Sequence, residues 1–277
     1  MKITDIKGTV TLSNGVSMPY LGLGVFGINE GNELINAVKH ALNTGYRHID
    51  TASMYQNEPG VGRGIKESGV PREEVFVTTK VWNTDQGYDQ TLRAFERSID
   101  RLGFEYVDLY LIHWPVPGKY KATWKALEEL YRQGRVKAIG VSNFLKHQLV
   151  DLLTVCEIKP MVNQMEFHPY LVQPSLLDFC RKNQIQYEAW SPIIKGKVTN
   201  IEVLRLLGEK YGKSSVQVVL RWDLQKGVVT IPKSSNPDRI KSNADLFDFE
   251  LSEEDMKRID LLDRYSRIGP DPDNINF

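Results

Sequence analysis

Hydrophobic positions along this chain switch repeatedly between two spacings, and the switching predicts its architecture. Short β-type apolar runs alternate with amphipathic helical patterns from residue 21 to residue 245. Eight runs read as strands: Leu21–Val25, His48–Asp50, Val75–Lys80, Val107–His113, Ala138–Ser142, Met161–Glu166, Ile185–Trp190 and Val228–Pro232. Between them, Leu34, Val38 and Leu42 share one helix face, as do Leu92, Phe95, Ile99 and Leu102. Trp124, Leu127 and Tyr131 repeat that spacing. Two helical segments, 201–211 and 215–225, fit between the last two strands, so one of them is an excursion. A helix over 237–246 follows, and Ser252-Glu-Glu-Asp255 opens another with a capping-box pattern. The opening TVTLSNGVSM differs: Asn14-Gly15 between alternating apolar residues signals a hairpin, read here as a two-stranded lid over one end.

Eight βα units without a Pro/Gly/Ser-rich linker predict one domain over residues 1–277, an α/β fold of the closed (β/α)8 TIM-barrel type. Such a barrel gathers the C-terminal ends of its strands on one face, where active sites sit. The short tail RIGPDPDNINF and the short segment PVPGKYKATW predict a comparatively open mouth.

Composition narrows the function classes. Lys plus Arg and Asp plus Glu both number 35, so the formal net charge is zero, against a nucleic-acid or anionic-membrane partner. Apolar runs fall far short of the roughly 18–20 residues that span a bilayer. MKITDIKGTVTL lacks an apolar signal-peptide core, and Cys156 and Cys180, both in apolar helical patterns, suggest no disulfide framework. A cytoplasmic protein is expected, with nothing that demands an oligomer, and so a monomer.

Reactive side chains cluster at the predicted strand ends. Asp50 ends the second strand, Lys80 the third and His113 the fourth, while Tyr55 lies five residues past Asp50. Singly, each has a plainer reading as a turn cap, a solvated charge, a core histidine or a packing aromatic. Jointly, on one rim, they make a proton-donating device. A tyrosine pKa near ~10 is high for proton transfer at neutral pH, and a neighbouring ammonium lowers it. A carboxylate holds the lysine, and an imidazole orients a carbonyl or shares the proton. This suits reduction of an aldehyde or ketone, where hydride reaches carbon and a proton reaches oxygen.

GYRHIDTASMYQNEPGVG (45–62), KAIGVSNF (137–144) and IPKSSNPDRIKSN (231–243) resemble the three signatures of the aldo-keto reductases, in order and spacing. The chain is similar in particular to bacterial glyoxal and 2,5-diketo-gluconate reductases. The resemblance implies a catalytic tetrad of Tyr55, Asp50, Lys80 and His113, with Tyr55 as general acid. It implies NADPH/NADP+ as cofactor and a small carbonyl compound, such as methylglyoxal, as substrate. Ser142, Asn143 and Gln164 would bond the nicotinamide carboxamide, and Trp190 would stack on its ring. Lys233, Ser234, Ser235, Arg239 and Asn243 would hold the adenosine end, and Phe26, Trp82 and Trp114 would wall the carbonyl pocket. Trp190 stands where a tyrosine is common, Phe26 where a tryptophan is frequent and Val25 where a threonine is.

Rival readings fit less well. Gly22-Leu-Gly24-Val-Phe-Gly27, with Asp50 further on, matches a dinucleotide-binding fingerprint. However, INEGN separates these glycines from the helix that should start on them, so they are read as a tight strand-end turn. Gly60-Val-Gly62-Arg-Gly64 is read as a helix start after Pro59. No Tyr-x-x-x-Lys occurs, no His or Cys pair has metal-ligand spacing, and no metal is expected. Glu166 and Glu188 lie near strand ends, as a glycosidase pair would, but do not account for the tetrad. A cofactor-binding regulatory subunit is the non-enzyme alternative, which the intact tetrad disfavours.

Overall fold

The structure, a computed structural model, describes residues 2–275 and 277. Strands β1 (Thr9–Thr11) and β2 (Ser17–Pro19) form an antiparallel hairpin turning at Gly15. Asn14 Nδ2 donates to the Lys137 carbonyl at 2.9 Å, which fastens the hairpin to the N-terminal end of a neighbouring strand. The lid therefore covers the end of the molecule opposite the reactive rim.

Eight parallel strands follow: β3 (Leu23–Gly24), β4 (His48–Asp50), β5 (Phe76–Val81), β6 (Val107–Ile112), β7 (Val136–Ser142), β8 (Val162–Glu166), β9 (Gln186–Trp190) and β10 (Val229–Thr230). They pair in sequence order from β3 to β10. Gly22 N donates to the Thr230 carbonyl at 3.0 Å and Thr230 N to the Tyr20 carbonyl at 2.9 Å, closing the ring between first and last strands. β5 and β6 are buried along their whole length, as expected of parallel strands covered on both faces.

The glycines of the dinucleotide-like pattern serve this seam. A Cβ on Gly24 would lie 2.8 Å from the Ile231 carbonyl oxygen, and one on Gly22 would strike the His48 ring. Only glycine lets the two strands approach so closely. The next helix, α1 (Asn32–Thr44), starts five residues after Gly27, so its N-terminus does not face these glycines as the fingerprint requires.

The other helices are α2 (Glu58–Ser68), α3 (Tyr88–Leu102), α4 (Tyr120–Arg132), α5 (Lys146–Leu153), α6 (Pro174–Lys182), α7 (Glu202–Tyr211), α8 (Ser215–Gln225), α9 (Pro237–Ala244) and α10 (Glu253–Asp260). α8 is buried without interruption from Gln217 to Leu224, whereas α7 buries only Leu204, Leu207 and Gly208. α7 is thus the excursion. Ser252 caps α10 by accepting from Asp255 N, as its pattern predicts. The Gly60–Gly64 cluster lies within α2, which starts at Glu58 with Pro59 in its first turn. Among the described residues no helix is long and apolar enough to cross a membrane.

Candidate active site

Alternation along each strand decides which side chains enter the barrel. His48 and Asp50 share one face of β4, Thr78 and Lys80 one face of β5, and all four are buried. His113 follows β6 directly, and Tyr55 closes a single 3-10 turn, Ser53–Tyr55. That turn is held from below and beside. Ser53 Oγ donates to the Lys80 carbonyl at 2.9 Å, and Asn57 Nδ2 donates to the carbonyls of Val25 and Ile28. Tyr55 is therefore placed by fixed neighbours rather than by a loose loop.

Lys80 Nζ donates to Asp50 Oδ1 at 2.6 Å and to the Thr51 carbonyl at 2.8 Å. It also lies 5.1 Å from the centre of the Tyr55 ring. Burial disfavours the ammonium, but Asp50 and Tyr55 outweigh it, so Lys80 is held above its ordinary range. For Tyr55 the balance departs from the sequence expectation. Lys80 does pull the phenol down, but burial is the larger effect and leaves it above 10. Tyr55 is thus kept protonated at neutral pH, as a proton donor must be, while Lys80 limits how far it rises. Burial, then the Lys80 charge, push His113 well below 6.5. Its ring is neutral near pH 7, which suits orienting a carbonyl and not supplying a full positive charge.

Aromatic rings surround these polar tips. The His113 ring centre lies 5.7 Å from that of Tyr55 and 5.0 Å from that of Trp82, both edge-on. Phe26 leans on Tyr55 at 5.0 Å and is otherwise exposed. Trp114 is buried beside this group. The mouth is less open than the short tail suggests. Phe277 stacks on Trp82 at 6.0 Å, meets Trp114 edge-on at 5.4 Å, and accepts a hydrogen bond from Asn83. Nothing in the sequence pattern of the tail marks this return, because it depends on rings more than 160 residues away.

A second wall lies at the ends of β7, β8 and β9. Ser142 Oγ donates to the Gln164 carbonyl at 3.0 Å, and Asn143 Nδ2 donates to the His113 carbonyl at 2.9 Å. Trp190 Nε1 donates to Asn143 Oδ1 at 2.9 Å, which fixes the half-buried indole beside that amide. The structure thus brings Ser142, Asn143, Gln164 and Trp190 into one hydrogen-bonded group joined to the tetrad. Lys233 bridges to Gly24 just past β10. Ser234 Oγ accepts from Asn236 N, and Asn236 caps α9 by accepting from Arg239 N. Lys233 and Arg239 are exposed, Ser235 is half-buried and Asn243 is buried on α9. Among the described residues neither cation forms an ion pair. An indole with amide groups on one side, and free cations at a helix N-terminus on the other, fit a nicotinamide and a phosphate-bearing end respectively.

Two carboxylates set aside in the sequence belong here. Gln164 Nε2 donates to Asp50 Oδ2 at 2.8 Å and to Glu188 Oε2 at 2.9 Å, joining Glu188 to the tetrad. Glu166 accepts from Ile268 N at 2.6 Å, from Gly269 N at 3.1 Å, and pairs with His168 Nε2 at 2.9 Å. It thereby straps the tail across the edge of Trp190, where a Cβ on Gly269 would collide with the indole. The available signal was alternation: Glu188 lies two residues before Trp190 and in register with Gln164, hence on the inward face. Among the described residues no three His, Cys, Asp or Glu side chains form a metal-binding group.

Comparison with known proteins agrees with this geometry. The Aldo/keto reductase family pattern matches residues 20–264. The chain is 60% identical over 274 residues to glyoxal reductase of Bacillus subtilis (strain 168), covering 99% of each chain. It is 58% identical over 268 residues to 9,11-endoperoxide prostaglandin H2 reductase of Trypanosoma cruzi (strain CL Brener), covering 96% of this chain and 95% of that one. A solved structure of a Gox0644 mutant in complex with NADPH superposes with a TM-score of 0.93 at 44% identity, over 100% of both chains. Eight parallel strands, a rim carrying Asp50, Tyr55, Lys80 and His113, and relatives matched end to end lead to one conclusion: this chain is an oxidoreductase of the aldo/keto reductase family.

Proposed function

We infer that the protein reduces aldehydes, ketones and small dicarbonyls to alcohols with NADPH, with Tyr55 as the general acid. The observation that carries this is the Lys80–Asp50 ion pair set under the Tyr55 ring, beside a neutral His113. The cofactor is NADPH, which when bound supplies the hydride to the carbonyl carbon. Ser142, Asn143 and Gln164 would hold its carboxamide and Trp190 would lie on its ring. Lys233 and Arg239, with the α9 N-terminus, would hold its 2′-phosphate.

The chain's own work is then proton delivery and orientation. His113 orients the carbonyl oxygen toward Tyr55. As charge develops on that oxygen, the Tyr55 hydroxyl gives it a proton, because an alkoxide is far more basic than a phenolate. Lys80 stabilises the phenolate left behind, and Asp50 keeps Lys80 charged and in place. Trp82, Trp114 and Phe277 exclude water from one side of this exchange.

Small dicarbonyls lead the substrate list because a 60% identical relative is a glyoxal reductase. The exposed Phe26 leaves one side of the rim accessible to larger aldehydes. A panel of glyoxal, methylglyoxal, aromatic aldehydes, simple ketones and sugar acids, followed by loss of NADPH absorbance, tests the reading. Turnover of dicarbonyls and aromatic aldehydes alike is expected. No absorbance change with any carbonyl would mark a binding module, and activity on one sugar acid alone would overturn the breadth.

A further inference from the structure

Glu188 is a fully buried acid that the proton-delivery scheme does not use. Its Oε2 accepts from Gln164 Nε2 at 2.9 Å, and its Oε1 lies 3.7 Å from His48 Nε2 with no hydrogen bond of its own. Every polar group facing it can be named. β4 brings Asp50 and His48, β5 brings Lys80 and Thr78, β8 brings Gln164, and Tyr55 lies above the lysine. β10 pairs Val229 with it and brings no ionisable side chain.

The charges in this cluster do not balance if both acids ionise. Lys80 is the single cation, and Asp50 takes it at 2.6 Å. His48 Nε2 is occupied with Thr78 Oγ1 at 3.1 Å, and burial pushes that ring down to about 3, so it is neutral. A second carboxylate would be an uncompensated buried charge, which is costly. Burial and then Asp50 accordingly push Glu188 up to about 8. The missing counter-charge is one that an oxidised nicotinamide ring carries and a reduced ring lacks.

We propose that Glu188 is a positioning residue for the oxidised cofactor: beneath Gln164, it releases a proton to solvent when a positively charged nicotinamide ring binds and regains one when the neutral reduced ring replaces it. This rests on the reading of Gln164 as the nicotinamide contact. The exchange is charge-neutral at the site and releases one proton: the carboxyl O–H of Glu188 breaks, the proton goes to buffer, and the carboxylate left behind would offset the positive charge of the ring. Affinity for NADP+ relative to NADPH therefore rises with pH.

The test is binding, not turnover. Dissociation constants for NADP+ and NADPH are measured by protein fluorescence from pH 6 to pH 9.5, with proton release recorded in weakly buffered solution. The 2′-phosphate titrates in both forms and cancels in their ratio. In the wild type the ratio should shift toward NADP+ by about threefold or more per pH unit within the titrating range. In Glu188→Gln, which keeps an acceptor for Gln164, the ratio should be flat and proton release on NADP+ binding abolished. Tyr55→Phe should retain both effects. A pH-independent wild-type ratio, an unchanged Glu188→Gln profile, or loss of the effect in Tyr55→Phe each overturns the proposal. If Glu188→Gln does not fold, Glu188→Leu and the wild-type profile decide by the same criteria. Gln164→Leu separates the underlying reading: if NADP+ then binds no more weakly, and 2′-phospho-ADP-ribose equally well, Gln164 is not the nicotinamide contact. A weakened NADP+ affinity with a flat wild-type ratio refutes Glu188 alone.

Discussion

Tyr55 stands between opposing influences, burial and Asp50 holding its proton on while Lys80 draws it off. Sequence position alone gives the sign of the Lys80 effect, not which effect is larger, because the depth of burial depends on Trp82, Phe26 and the barrel wall. The consequence is measurable in the oxidative direction, where the proposed role of Tyr55 makes the phenolate the base. Removing the charge in Lys80→Met leaves burial unopposed, so the Tyr55 pKa rises further. The basic limb of the alcohol-oxidation profile should move to higher pH, and the rate on its slope should fall about tenfold per unit of that shift. A limb that stays in place would show that Lys80 does not tune Tyr55. At this scale the four tetrad residues were legible because each ends or follows a strand. Glu188 and Glu166 were not assigned roles, because their partners, Gln164 and the tail amides, come from other elements and meet only on folding.

Helix α9 shows how an element joins sequence signals into one capped, cationic helix end. Pro237 sits in its first turn, Asn236 caps it, and Ser234 braces the cap, so its N-terminal amides are held facing the end of β10. Lys233 and Arg239 flank that end with their charges unpaired by any described acid. A charge-assisted hydrogen bond to phosphate is worth about 1.5–3 kcal/mol, or roughly 10- to 150-fold in affinity. Arg239→Ala should therefore raise the dissociation constant for NADPH by about that factor and change that for NADH little, by fluorescence titration. Equal losses for both would mean that Arg239 does not read the 2′-phosphate. Strand and helix positions were legible to within a few residues from period alone. β5 runs one residue later than its pattern at both ends, Phe76–Val81, and β10 shortened to two residues because Pro232 cannot donate to a ladder.

Across the whole molecule the barrel holds buried acids that favour their neutral forms. Asp223 on α8 accepts from Thr230 Oγ1 at 2.8 Å, and burial raises it well above 3.8. The folded state therefore binds this proton more tightly than the unfolded chain does. Its stabilisation is complete below the unfolded pKa and is lost as pH rises toward the folded value. Asp223→Asn keeps an acceptor for Thr230 and removes the titration. The variant should melt higher than wild type at pH 8 by a few degrees, about 2–4 °C per kcal/mol in a chain of this size, with a smaller difference at pH 5. A difference between variant and wild type that is the same at pH 5 and pH 8 would show that Asp223 does not carry a raised pKa in the fold. The barrel itself was readable from the eight alternating units. The tail was not: a coil-like composition hides that Glu166 straps it and that Phe277 rests on Trp82 and Trp114.

If Tyr55 hands the proton to the reduced carbonyl, one preparation of Tyr55→Phe reveals it. NADPH affinity, by fluorescence, and turnover of methylglyoxal, by loss of NADPH absorbance, are measured side by side with wild type. Near-normal NADPH affinity is expected, with turnover reduced by about 100-fold or more, the range of a lost general acid. Near-normal turnover in the phenylalanine variant would contradict it.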